Sequence, residues 1–109
     1  MQAQATRPRI SAADQITYQA RACQRLANIL STAAERALPA IPWTVTAVGC
    51  GLRADITPAG AADPRGTHRA WVQALGLTPQ RTMPGRLTAT VRMDGVQVTI
   101  TTALTKENA

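Results

Sequence analysis

The chain reads as an α+β domain of order αββαββ, a two-layer sandwich in which two helices cover one face of a four-stranded antiparallel sheet. Three observations predict it. Apolar residues recur at three- and four-residue steps from Ile16 to Leu38, the signature of an amphipathic helix. Two stretches alternate apolar and polar residues and reverse on themselves, at Gly49-Cys50-Gly51 and at Asp94-Gly95. Between them, Asp63-Pro64 opens a second helix and Gly76 closes it.

Residues 1–10 are polar, with Arg7-Pro8-Arg9, and read as a flexible arm; 11–104 form the domain and 105–109 a frayed tail. Ser11 precedes Ala12-Ala13-Asp14 as an N-cap, and nothing breaks the first helix before Leu38. Its expected core stripe is Ile16, Ala20, Cys23, Ala27, Leu30, Ala34 and Leu38, widened by Leu26, Ile29 and Ala33. Arg21, Arg25, Asn28, Thr32 and Glu35 fall on the other side. Pro39 and Pro42 prevent continuation.

In Trp43 to Ala47 the odd positions are apolar; in Leu52 to Ile56 the even ones are. Parity must flip between them if both strands face one core. A two-residue turn at Cys50-Gly51 pairs Gly49 with Leu52, Ala47 with Ala54 and Val45 with Ile56. A four-residue loop from Val48 to Gly51 keeps the same faces. The second helix turns Trp71, Ala74 and Leu75 inward, leaves His68 exposed and is followed by a mobile loop from Thr78 to Gly85. The closing hairpin pairs Met93 with Val96 and places Leu87, Ala89, Val91, Val98 and Ile100 on the core side.

If helices cover that side, the outer face carries Thr44, Thr46, Arg53, Thr88, Thr90, Arg92, Gln97, Thr99 and Thr101, together with Asp55 and Thr57. Threonine suits a solvated strand through its β-propensity alone. It also loses little entropy on burial and bonds across an interface, so these nine residues are the candidates for docking a protein or a second copy. The sheet edges, with their unpaired backbone groups, offer another route.

The net charge of +6 raises the question of a polyanionic partner. Nearly all the basic residues are Arg, and Ala is abundant, a bias that GC-rich coding produces whatever the function. Outward strand positions lack the aromatic side chains on which sheet-based readers stack bases. The alternative to protein contact is therefore sequence-independent nucleic-acid binding through Arg7, Arg9, Arg21 and Arg25 on the arm and first helix.

Little else in the chain points to chemistry. The six carboxylates are scattered singly, His68 is the only histidine, and Cys23 and Cys50 form no CxxC or Cys/His cluster. Gly49-Cys50-Gly51 lacks the Lys-Ser or Lys-Thr of a phosphate loop, and Cys50 has no neighbouring base to activate it. The expectation is a non-enzyme without metal or cofactor. No apolar run approaches the roughly eighteen residues of a membrane span, and MQAQATRPRI lacks a signal-peptide apolar region, which places the chain in the cytoplasm.

The arrangement Trp43…Trp71-Val-Gln-Ala-Leu-Gly76…Asp94-Gly95-Val96-Gln-Val98-Thr-Ile100 resembles small proteins of actinobacteria, their phages and their mobile elements. The resemblance covers about the second half of the chain. It implies an accessory protein without an assigned enzyme activity and supplies no site residues.

Overall fold

The structure, a computed structural model, describes residues 11–80 and 83–104. Helix α1 (Ala12–Glu35) starts where the Ser11 side chain accepts the Asp14 N–H at 3.0 Å. It ends at Glu35, short of the expected Leu38, because Ala37 takes a left-handed φ of 53°. There the Leu38 N–H bonds Ala33 O and the Ala37 N–H bonds Ala34 O, which satisfies two terminal carbonyls. Helix α2 (Pro64–Leu75) opens with the Asp63 carboxylate on the Gly66 N–H and Pro64 in the first turn, and closes at left-handed Gly76, as the sequence predicts.

The strands are β1 (Trp43–Val45), β2 (Gly51–Ile56), β3 (Thr78–Pro79), β4 (Arg86–Met93) and β5 (Val96–Ala103). They form one five-stranded sheet of order β1-β2-β5-β4-β3. The α+β class and both hairpins are as expected, but the sheet is mixed and not a four-stranded antiparallel one. β2 and β5 run parallel, from Gly51 beside Gln97 to Ile56 beside Thr102. The intervening α2 returns the chain to the start of the sheet, the crossover that a parallel pair requires. The fifth strand lies in the expected mobile loop: buried Leu77 anchors it, and Thr78 and Pro79 pair with Thr90 and Ala89.

The first hairpin pairs Val45 with Leu52 and Trp43 with Ala54. The Thr46 N–H bonds Gly51 O, so the loop spans 47–50 and the register differs from both expected turns. The faces survive because the shift is even. In the second hairpin Met93 pairs with Val96 as expected, and Asp94 and Gly95 both have positive φ, the type I′ requirement.

The core lies between the helices and the inner sheet face. It comprises Leu52, Ala54, Ile56, Ala89, Val96, Val98 and Ile100 from the strands, Ala22, Ile29 and Ala33 from α1, and Trp71 and Leu77. Trp43 meets Trp71 edge to face at 5.6 Å, and the Trp71 indole N–H donates to Pro39 O at 2.8 Å.

The stripe that α1 buries is rotated from the expected one: of the residues read as core, Ile29 and Ala33 are buried, and Leu26 and Leu38 pack half-buried against them. Ala22, Ile29 and Ala33 are buried, with Gln15, Tyr18, Arg25 and Leu26 half-buried beside them. Ile16, Ala20, Cys23, Ala27, Leu30 and Ala34 are exposed. Two polar residues on the buried side explain the choice. The Gln15 amide donates to Gly49 O and accepts the Gly49 N–H (2.9 and 2.8 Å), and Arg25 forms an ion pair with Asp94. Both contacts tie the helix to hairpin loops. The flexible arm expected at 1–10 and the frayed tail expected at 105–109 lie outside the described residues.

Candidate interaction surface

Both helices pack on the inner face, which leaves the other sheet face uncovered among the described residues. Alternation sends Thr44, Arg53, Asp55, Thr88, Thr90, Arg92, Gln97, Thr99 and Thr101 to that face, as expected. The register arranges them in rows that the sequence could not show. Thr44, Arg53, Thr99, Thr90 and Thr78 stand side by side across all five strands. At a strand spacing of about 4.8 Å this row is roughly 19 Å wide. Asp55, Thr101 and Thr88 form a second row, and Gly51, Gln97 and Arg92 a third.

The middle of the face is internally bonded. Thr90 Oγ1 donates to Val98 O at 2.9 Å, lies 3.2 Å from Thr99 Oγ1 and accepts from the Gln97 amide. These bonds hold the β4–β5 side chains in place, which lowers the entropy lost when a partner covers them. Thr46 differs from the rest of its group. Its hydroxyl is turned to Gly51 O and Val48 O (3.3 and 3.2 Å), so it holds the loop and offers a partner little.

At the start of β2 and β5 the face runs into a groove of about 600 Å³. Tyr18 and Arg21 line it from α1, Arg53, Arg92, Gln97 and Thr99 from the sheet, and Gly49, Cys50 and Gly95 from the two hairpin loops. Gly49 holds φ 80° there, a conformation that L side chains rarely adopt. Three guanidinium groups surround this concavity. Arg53 spends part of its charge on Asp55 at 3.2 Å, whereas Arg21 and Arg92 make no ion pair among the described residues. A concave wall lined by one sign of charge attracts anions.

The two candidate sets are thus partly merged. Arg21 from the nucleic-acid group shares the groove with Arg53, Arg92, Gln97 and Thr99 from the protein-interface group. Arg25 does not join them: its charge is committed to Asp94, and its side chain is three-quarters covered. Arg7 and Arg9 lie outside the described residues. Sequence reasoning missed Thr78, which had no strand pattern, and Tyr18, whose placement depends on which stripe of α1 is buried.

His68 is buried, not exposed as expected, because α2 buries Pro64, Thr67, His68 and Trp71 along one side. Its Nδ1 lies 2.7 Å from Thr102 Oγ1 on the inner sheet face. Burial, and to a lesser degree the Arg65 cation, hold its pKa below the usual 6.5. The Cys50 thiol donates to Tyr18 O at 3.4 Å, and both cysteines are free. No group of three His, Cys, Asp or Glu is placed to hold a metal among the described residues, and none of their helices is long and apolar enough to cross a membrane. No family model, curated protein or solved structure matches the chain.

Proposed function

We propose that the protein is a non-enzymatic accessory protein that binds an acidic surface of another protein on its open sheet face. The observation that supports this reading is the five-strand row from Thr44 to Thr78, uncovered by any described helix and flanked by the groove of Arg21, Arg53 and Arg92. Neutral threonines supply a flat, pre-ordered contact area, and the arginines supply orientation and attraction. Docking is face-on, not through a sheet edge. The edge strands have three and two residues, and a proline lies at or beside each, at Pro42 and Pro79, features that discourage added strands.

The test is capture from the native host with wild-type protein and with the outer-face variant Thr88→Arg/Thr101→Glu. Neither hydroxyl makes a side-chain bond that supports the fold in the way Thr90 does. The expected result is a specific partner that wild type retains and the variant loses, with identical melting curves. Equal retention by both would contradict the reading.

The groove gives nucleic acid a claim as the alternative partner, since Tyr18 beside three arginines can stack a base while the guanidiniums hold phosphates. That alternative requires a mixed-sequence single strand to bind with an affinity that falls steeply with salt, and Arg21→Glu/Arg92→Glu to abolish it. The centre of the face, where Thr88, Thr90, Thr99 and Thr101 of β4 and β5 offer phosphates no cation, favours the protein partner.

A further inference from the structure

The tip of the β4–β5 hairpin gathers positive charge, and its one carboxylate is already spent. Arg92 lies just before the Asp94-Gly95 turn, opposite Gln97. Arg21 reaches the same turn from α1: a Cβ added at Gly95 would stand 3.7 Å from its Nη1. Asp94 is held by Arg25. Arg53 joins from β2, and the groove that these arginines border has no Asp or Glu among its described lining residues. Like charges gathered around one concavity raise its potential, and an anion placed there relieves their repulsion.

We infer that the groove is a binding site for a small phosphate monoester, its phosphate held between Arg21 and Arg92 and its body lying against Tyr18. Charge selects the class. Arg21 and Arg92 make no ion pair among the described residues, whereas Arg53 shares its charge with Asp55. Two uncommitted guanidiniums match a dianion. A phosphate monoester carries about −1.5 to −2 at pH 7, where a carboxylate, sulfate ester or phosphodiester carries a single charge. Donor geometry agrees, since each guanidinium is a planar fork suited to paired oxygens and the monoester presents three of them. Two loop amides are already committed. The Gly49 N–H is taken by Gln15 and the Gln97 N–H by Cys50 O, so neither joins a backbone nest for the anion.

Shape selects the size. At about 600 Å³ the groove lies within the range of about 300–1,000 Å³ typical of small-molecule sites, and it has room for more than a phosphate alone. Tyr18 from α1 and Val48, 75% exposed on the first hairpin loop, border the remaining space. They give it an apolar side on which a flat body such as a nucleobase can lie. The loop is fixed before any ligand arrives: Gln15 bonds both backbone groups of Gly49, and the Thr46 hydroxyl donates to Gly51 O. Such preorganisation lowers the cost of binding. The site needs no docked protein and so goes beyond the sheet-face reading.

Calorimetric titration of the full chain with adenosine monophosphate and with phenyl phosphate tests this. At least one of the two should bind with a Kd below about 1 mM. Phenyl sulfate, the monoanion of the same shape, should bind about tenfold more weakly than phenyl phosphate. Arg21→Gln and Arg92→Gln should each weaken binding about tenfold, with unchanged melting curves because both side chains are exposed. Arg86→Gln removes the same charge at the other end of β4, about 20 Å from Arg92, and should leave binding unchanged. Thr88→Arg/Thr101→Glu should also leave it unchanged, so this site and the sheet-face reading stand or fall separately. The proposal is overturned if neither monoester binds at about 10 mM, or if phenyl sulfate binds as well as phenyl phosphate. Equal weakening by Arg86→Gln and Arg21→Gln also overturns it, since net charge and not a site would then hold the anion. So does a mixed-sequence DNA strand without terminal phosphates that binds where the monoesters do not.

Discussion

Two polar side chains determine more of this fold than their size suggests. Gln15 meets both backbone groups of Gly49, and His68 meets Thr102 under α2. The lowered pKa of His68 makes stability depend on pH. The unfolded chain takes up the proton near pH 6.5 and the folded one only at lower pH, so the folded state binds fewer protons in between. The stability associated with neutral His68 is complete above about pH 6.5 and declines as pH falls below it, by at most about 1.4 kcal/mol per unit for one group. Denaturation midpoints at pH 7.5 and 5.0 should therefore differ more in wild type than in His68→Gln. Equal losses in both would remove His68 as the cause.

At the scale of the element, α1 shows why a helix can be legible and its buried face not. Two stripes with helical spacing run along it, and the one containing Arg25 looks like the solvated side. Its polar members are nonetheless the residues that dock the helix, because Gly49 and Asp94 wait for them on the hairpin loops. Nothing local announces those partners, which lie tens of residues away in sequence. Adjacent residues separate the two stripes experimentally. Ile29→Ala should cost about 2–4 kcal/mol, as buried Ile truncations do, whereas Leu30→Ala should stay within about 1 kcal/mol in urea titration. The helix end supplies another test. Ala37 holds a left-handed conformation that costs a side-chain-bearing residue about 1 kcal/mol, so Ala37→Gly should raise the melting temperature by a few degrees. A lower melting temperature would contradict this account of the cap.

For the whole molecule, alternation was enough to read the sheet's two faces, since parity survives any even shift in register and any strand order. The outer face was legible for that reason, and the Asp94-Gly95 turn and both ends of α2 from their own turn and cap residues. The strand order was not, because two hairpins with one apolar face each can join by either edge in either direction. The two-residue β3 has no period to read. The groove arises only when the ends of α1, β2, β4 and β5 meet, so it follows from the strand order and cannot precede it. The outer face is the working surface in this account, and threonine methyl groups report on it directly. With the captured partner added to methyl-labelled protein, NMR shifts should concentrate at Thr44, Thr88, Thr90, Thr99 and Thr101 and leave buried Thr67 and Thr102 unmoved. Shifts absent from those five and confined instead to Thr17 and Thr32 on α1 would contradict it.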